Sequence, residues 1–496
     1  MLTPADRDFY AAVGEAAFAN PFGEERYRID RRISRAPRGA SRAEVIERLL
    51  ALVRARLREA PVADRRRLSE GDRALVEYAA LFDLFHRYAA SFDALIQEQL
   101  ARGERPVAVA FGGDALKALV GAGFDPAEAR RYLAFFFQLR RAFYFVEHTL
   151  PGASASMRQL RERLWTNVFT HDGRLYARTL WRRMEDFSTF LLGETGSGKG
   201  TAAAAIGRSG WIPFDEKAGA FAESFVGSFL SLNLSQFPEA LIESELFGHK
   251  KGAFTGAVEA HEGAFARCSE HGAIFLDEIG EVSTPVQIKL LRVLQERTFS
   301  PVGGHETARF SGRVIAATNQ PLDDLRARGA FRDDFYYRLC SDVIEVPSLR
   351  RRLREDDGEL EVLLGFILRR ILGEDAADIR AMVSEAIRSG LGRDYPWPGN
   401  VRELEQCARR VLLTRGYAGD GLAARRAPAT GAPYGRQGRH GSDEALLDAI
   451  GEETAKGLLV RYCKALYARH GTYEEVARRT GLDRRTVKAH VAGSEP

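Results

Sequence analysis

The sequence predicts an α/β core on a parallel sheet, set between a helical region ahead of it and a small helical unit at its end. Three observations carry that expectation. From residue 151 to about 345, short apolar runs alternate with helical patterns, as strands and crossover helices of a parallel sheet do. One run, Phe187–Leu192, leads into Gly193-Glu-Thr-Gly-Ser-Gly198-Lys199-Gly200 and then an alanine-rich helix. Residues 461–496 hold eight Lys and Arg against four acidic residues and read as helix, glycine turn, helix.

At 496 residues, about three domains are expected. Residues 1–150 read as mostly helical. Leu75–Leu100 and Arg130–Thr149 place apolar residues at helical spacing. The second segment carries Phe135, Phe136, Phe137, Phe143, Tyr144 and Phe145. These rings suit a packed helix core or an oligomer face, and alternatively a small-molecule pocket. Pro151-Gly152 marks the expected boundary. Residues 350–416 read as helical again, and 417–442, rich in Gly, Ala, Pro and Arg without apolar periodicity, as a flexible linker.

No run of 18 apolar residues occurs, so a membrane span is not expected. Nor does the N-terminus show a basic segment followed by an apolar one. Cys268, Cys340, Cys407 and Cys463 lie far apart with no CxxC pair. That argues against a disulfide scaffold or zinc site and leaves a cytoplasmic protein with reduced thiols as the expectation. Net charge is only +4, from 72 basic and 68 acidic residues, too little by itself to imply nucleic acid.

The glycine-rich stretch has the strand–loop–helix context of a phosphate-binding loop. Gly193, Glu194, Thr195, Gly196, Ser197, Gly198, Lys199, Gly200 and Thr201 would place backbone N–H groups and a helix N-terminus against phosphate oxygens. Lys199 would reach the β- and γ-phosphates. Gly200 stands where the motif wants Ser or Thr for magnesium, and Thr201 comes one residue late. Ala273-Ile-Phe-Leu-Asp277-Glu278 is an apolar run ending in two carboxylates. Asp277 would bind magnesium and Glu278 polarise the attacking water. Arg313–Thr318, followed by Asn319, is a further buried run. Its end, Thr318 and Asn319, is either a γ-phosphate sensor or a strand cap. Arg332 and Arg338 are either transition-state arginines offered to a neighbouring subunit or surface ion-pair partners.

Glu245–Ala257 contains Gly252-Ala253-Phe254-Thr255-Gly256-Ala257, small residues around one Phe and one Thr. It reads as a mobile hairpin tip with an exposed ring for a protein contact. This stretch resembles the GAFTGA loop of the sigma-54-dependent transcriptional activators, the enhancer-binding AAA+ ATPases. FLDEIGE, KLLRVLQERTFSPVGG, VIAATNQPL, FRDDFYYRL, VPSLRRR and YPWPGNVREL agree with the family's blocks in order. The resemblance covers roughly residues 150–415.

The resemblance implies an AAA+ P-loop ATPase core with a helical lid, a mostly α N-terminal regulatory domain, and a C-terminal all-α helix-turn-helix. The implied domains are 1–150, regulatory; 151–345, ATPase and sigma-54 interaction; 346–416, lid; 417–442, linker; 443–496, DNA-binding. It also implies ATP and Mg2+ as cofactors and a homo-oligomeric ring, a hexamer, as the assembly. Its partners would be sigma-54 RNA polymerase holoenzyme and enhancer DNA. Asn233 matches the asparagine that holds the catalytic glutamate. Thr318 and Asn319 match the first sensor, Arg402 the second, and Arg332 and Arg338 the arginine fingers. Phe254 and Thr255 match the residues that touch sigma-54.

At the C-terminus, Val476, Ala477, Leu482 and Val487 would bury between two helices, and Asp483 would cap the second. Arg484, Arg485, Thr486, Lys488 and His490 would face the major groove or phosphates. This unit resembles a Fis-type helix-turn-helix. The strand–helix alternation and acidic pair of a phospho-receiver are not found in 1–150, so its input is open. Two other classes fit parts of the pattern: an AAA+ ATPase acting on a different protein or DNA target, and a DNA-binding regulator with an inactive ATPase.

Overall fold

The computed structural model describes residues 2–59, 68–392, 394–417 and 455–492. It divides into two units, one within Met1–Arg426 and one within Ala427–Pro496. Residues 418–442 of the expected linker and 443–454 of the expected DNA-binding unit lie outside the described residues.

The first unit is built on a five-stranded sheet. Its strands are β1 (Thr189–Leu192), β2 (Phe229–Asn233), β3 (Ala273–Asp277), β4 (Arg313–Thr318) and β5 (Asp342–Glu345), in the order β2-β3-β4-β1-β5, all parallel. The central strands β3 and β4 are buried almost throughout, which is why they read as unbroken apolar runs. The expected strand 187–192 begins at Thr189, because Phe187 closes a short 3-10 turn over Met184–Asp186.

The N-terminal region is helical, as its periodicity predicts. It comprises α1 (Pro4–Phe18), α2 (Glu24–Ser34), α3 (Arg42–Glu59), α4 (Glu70–Arg102), α5 (Gly112–Gly121) and α6 (Pro126–Thr149). Helix α6 starts at a capping box. The Asp125 carboxylate accepts from the backbone of Ala127 and Glu128, and Glu128 reaches back to the Asp125 N–H. Pro126 at its first position needs no N–H partner.

The expected boundary at 150/151 does not separate two cores. One hydrophobic cluster runs from Leu81 through Phe137 and Phe145 of α6, and on through α7 (Ala155–Phe169). It continues into α8 (Lys199–Gly207) and the β1, β3, β4 and β5 residues Leu191, Phe275, Ile315 and Ile344. Apolar side chains of α6 cover the alanine face of α8, so the helical region and the sheet bury one another.

Between β3 and β4 lies α10 (Thr284–Glu296), and after β5 come the lid helices α11 (Leu349–Glu355), α12 (Glu359–Leu372), α13 (Ala377–Leu391) and α14 (Asn400–Thr414), with their own core around Leu364, Val383, Leu404 and Tyr417. Among the described residues, no helix is long and apolar enough to cross a membrane.

The described residues of the second unit form three helices, α15 (Ala455–His470), α16 (Tyr473–Thr480) and α17 (Arg484–Ala492). Val476 and Val487 are fully buried with Cys463, while Ala477 and Leu482 are partly buried against them.

Candidate functional site

The C-terminal ends of β1, β3 and β4 surround a cavity of about 760 Å³. Thr195, Gly196, Ser197, Gly198, Lys199, Gly200 and Thr201 line it, as do Asn233, Asp277, Glu278, Asn319 and Arg402. Motifs spread over more than 200 positions are thus brought together. That is where an open α/β sheet holds ligands.

The loop between β1 and α8 is shaped by its glycines. Gly196 has φ +76, and a Cβ there would lie 2.2 Å from the Gly399 carbonyl oxygen. The lid presses on the loop at that point, and Val401 N–H donates to the Gly196 carbonyl at 3.1 Å. Lys199, buried, donates from Nζ to the Gly193 and Glu194 carbonyls at 2.8 and 3.3 Å. The buried Ser197 Oγ has no partner among the described residues. Convergent glycines, a parked lysine, an unpartnered hydroxyl and a helix N-terminus together fit a nucleoside triphosphate. Gly193 and Glu194 do not line the cavity. Glu194 instead pairs with Arg350 and accepts from Asn400 Nδ2 at 3.1 Å.

Burial pushes the Asp277 and Glu278 carboxyls above, and the Lys199 ammonium below, their ordinary values. The opposite charges across the cavity oppose those shifts. Glu278 stands at φ +56, a left-handed conformation uncommon outside glycine. Its Oε2 accepts from the Asn319 backbone N–H at 3.2 Å, while Asn319 Nδ2 donates to Thr195 Oγ1 at 2.8 Å. Asn319 therefore bridges the acidic pair and the phosphate loop. Thr318 is fully buried beneath, accepting from Gln320 N–H. A divalent ion fits Asp277 as an oxygen ligand. Among the described residues no cluster of three or more His, Cys, Asp or Glu side chains forms. A Cβ at Gly200 would meet only the Phe275 ring, at 3.8 Å, so nothing steric demands glycine there.

Three residues with expected roles have other partners in this structure. Asn233 Oδ1 accepts from Ser235 N–H and Oγ at 3.1 and 2.8 Å, capping the turn after β2. Arg332 and Arg338 do not line the cavity. Arg332 pairs with Asp334, and Arg338 donates to the Leu294 carbonyl at 3.0 and 2.8 Å. Sequence reasoning missed Asn400. Fully buried at φ +53, it accepts from Leu349 N–H at 2.7 Å and donates to the Thr195 carbonyl at 3.0 Å.

Between α9 (Glu239–Phe247) and β3 the chain forms a hairpin. His249 and His261 exchange backbone bonds at 3.0 and 2.9 Å, and Gly252 N–H donates to the Ala257 carbonyl at 2.8 Å. Gly252 and Gly256 take φ +80 and +102 at the turn. Ala253 is half-buried and Ala257 buried, whereas Thr255 is exposed and Phe254 is 37% exposed, its ring edge-on to His249 at 4.9 Å. Residues 175–345, which span the phosphate loop, this hairpin, the acidic pair and both arginines, match the family model described as the sigma-54 interaction domain.

That stretch is similar to a sigma-54 interaction domain. Similar proteins include a Nif-specific regulatory protein from Azotobacter vinelandii, 44% identical over 226 residues, covering 46% of this chain and 40% of that protein. Another is the transcriptional regulatory protein ZraR of Klebsiella oxytoca, 36% identical over 312 residues, or 62% of this chain and 63% of that one. The chain thus spans less than two thirds of either relative. Among solved structures, NtrX from Brucella abortus in complex with ATP aligns at 22% identity and a TM-score of 0.42, covering 77% of this chain and 80% of that one.

In the second unit, Asp483 Oδ1 caps α17 by accepting from the Arg485 and Thr486 N–H groups, both at 3.0 Å. Arg484, Arg485 and Lys488 are exposed, while Thr486 and His490 are half-buried. Arg484 pairs with Glu474, and the Thr486 hydroxyl donates to Asp483.

Proposed function

We propose that this protein binds enhancer DNA and uses ATP hydrolysis, in a homo-oligomeric ring, to convert the closed complex of sigma-54 RNA polymerase holoenzyme into an open one. The observation that carries the reading is the sigma-54 interaction domain's exposed Phe254–Thr255 tip, on the same sheet that assembles Lys199, Asp277 and Glu278.

The residues divide the work as follows. Loop amides and Lys199 bind the β- and γ-phosphates. Asp277 holds magnesium, which when bound neutralises phosphate charge. Glu278, its carboxylate aimed by the Asn319 backbone, orients the attacking water and takes up its proton. Arg402 reaches the cavity from the lid, and Arg332 and Arg338 complete a neighbouring subunit's site once freed from Asp334 and the Leu294 carbonyl. Asn233 and Ser235 line the cavity at the end of β2. Through Pro238 and α9 that segment leads directly to the hairpin, so phosphate occupancy biases the tip's position. Helix α17 presents Arg485 and Lys488 to DNA.

Promoter opening by sigma-54 holoenzyme, with enhancer DNA and ATP, tests this. The full chain opens the promoter, whereas Thr255→Ala hydrolyses ATP yet fails to open it. Hydrolysis without opening by the parent protein, in an assay where an authentic activator succeeds, would refute the target assignment.

A further inference from the structure

A second cavity, about 660 Å³, lies among the N-terminal helices and α7. Its volume falls within the range of small-molecule sites. Phe18, Phe82, Phe85, Phe136, Phe143 and Trp165 form much of its wall. Asp30, Tyr132 and Arg140, buried or half-buried, also face it, as do two groups with unused bonding capacity, Arg26 and His86. Arg26 spends its Nε on Asp30, at 2.8 Å from both carboxylate oxygens, and its Nη atoms have no partner among the described residues. The His86 Nδ1 lies 2.9 Å from the Phe82 carbonyl oxygen. A carbonyl only accepts, so Nδ1 carries the proton and Nε2 is left an acceptor, without a partner among the described residues. The Phe82 ring touches both groups, 4.3 Å from the imidazole centroid and 5.4 Å from the guanidinium carbon.

These features set the ligand's chemistry. The charged side chains on its wall balance, Arg26, Arg42 and Arg140 against Asp30, Glu47 and Glu147, so a charged ligand would bring an uncompensated charge into the cavity. The aromatic side chains favour a ring, through edge and face contacts. A hydroxyl or amide head satisfies what is left, donating to His86 Nε2 and accepting from Arg26 Nη.

The same helix that walls this cavity also holds the phosphate-loop helix. Phe136 and Phe143 face the cavity, while Gln138 and Arg141, between them on α6, meet the chain at the end of α8. Gln138 donates to the Ser209 carbonyl at 2.9 Å. Arg141, with no exposed surface, donates to the Arg208 and Gly210 carbonyls, both at 2.7 Å. A buried cation thus closes the C-terminal end of the helix whose N-terminus is Lys199.

We propose that this cavity is an effector site for a small, uncharged, ring-bearing molecule with one hydroxyl or amide head, and that α6 transmits its occupancy to the phosphate loop. The second half rests on the nucleotide reading of Lys199; the first does not.

The test uses the full chain without nucleotide and the uncharged fluorophore N-phenyl-1-naphthylamine. Saturable one-to-one fluorescence enhancement is expected. Leu139→Trp and Leu50→Trp, filling the cavity from α6 and α3, weaken it at least tenfold while the thermal unfolding profile is kept. In competition, 1-naphthol binds about fivefold tighter than naphthalene, the worth of one hydrogen bond, and 1-naphthoate at least tenfold more weakly than 1-naphthol. Absent saturation, equal binding by both filled variants with intact unfolding, or 1-naphthoate matching 1-naphthol overturns the site. Saturating 1-naphthol then shifts the affinity for a fluorescent ATP analogue, and the analogue shifts naphthol affinity by the same factor. No shift in either direction overturns the transmission alone. An analogue that never binds, with or without naphthol, overturns the nucleotide reading and leaves the probe titration standing.

Discussion

Asn400→Ala removes one side chain that ties three segments together. In the native protein its Oδ1 accepts from Leu349 N–H and its Nδ2 donates to the Thr195 carbonyl and the Glu194 carboxylate. Without it, the buried Leu349 N–H is left unpaired, at a cost of about 1–3 kcal/mol. The bond to Thr195 contributes about 1 kcal/mol more. The bond to Glu194 contributes less than about 1 kcal/mol, because that carboxylate is solvated. Alanine at φ +53 adds roughly 1 kcal/mol of backbone strain. A destabilisation of about 3–5 kcal/mol is expected, concentrated where the lid meets the phosphate loop. Urea denaturation with and without an ATP analogue measures it, and stabilisation by the analogue should shrink in the variant. Asn400→Asp is the sharper comparison. It keeps the acceptor for Leu349 but turns a second oxygen towards two existing acceptors. Its folded carboxyl pKa must then rise above the unfolded value of about 3.9. The penalty is therefore absent below about 3.9, builds as pH rises from there to the folded value, and is complete above it. An Asn400→Ala protein within 0.5 kcal/mol of the parent, or an Asn400→Asp deficit independent of pH, would refute this account of the contact.

Gly200→Thr should restore a hydroxyl beside Asp277 without a clash, lowering the magnesium concentration that half-saturates hydrolysis; an unchanged or higher value removes position 200 from the ion's surroundings. Burial depresses the His86 imidazole to about 4. Against an unfolded value near 6.5, the folded state stays neutral while the unfolded chain takes up a proton, so about 3 kcal/mol is lost as pH falls from 6.5 to 4. His86→Phe should lack that loss, and matching acid denaturation curves would contradict it. Arg485→Ala should weaken DNA binding alike on cognate and unrelated sequences and reduce the salt slope by about one, whereas loss confined to the cognate site would make it a base reader.

The legible parts of this protein are local. The phosphate loop, the DE pair and the hairpin are contiguous motifs, and β3 and β4 are buried on both faces. Edge strands β2 and β5 were harder to see. Phe229–Asn233 and Asp342–Glu345 carry Ser, Asn, Asp and Glu and are only partly buried, so they show no unbroken apolar run. The bridge made by Asn319 and the contacts of Asn400 escape the sequence for the same reason: their partners lie 124 and 205 positions away. No periodicity or spacing encodes such contacts. The rings of α6 leave a packed core or oligomer face and a small-molecule pocket as readings. Phe136, Phe137 and Phe145 lie in the core shared with the sheet, and Phe136 also lines the second cavity, with Phe143. A helical pattern states that a face is apolar, not what covers it.

That double use of α6 explains why Pro151-Gly152 punctuates the chain without dividing it. Removing residues 1–150 would strip the Arg208, Ser209 and Gly210 carbonyls of their donors and bare the aromatic face of Phe225, which packs on Phe137 and Phe145. An input domain joined by a linker alone acts through the collisions its tether permits. One that shares a core with the phosphate-loop helix acts by any change in how α6 packs, since buried interfaces respond in discrete steps rather than by graded deformation. In the proposed transmission, occupancy of the second cavity would act on Lys199 through the bonds that Gln138 and Arg141 make to the end of α8.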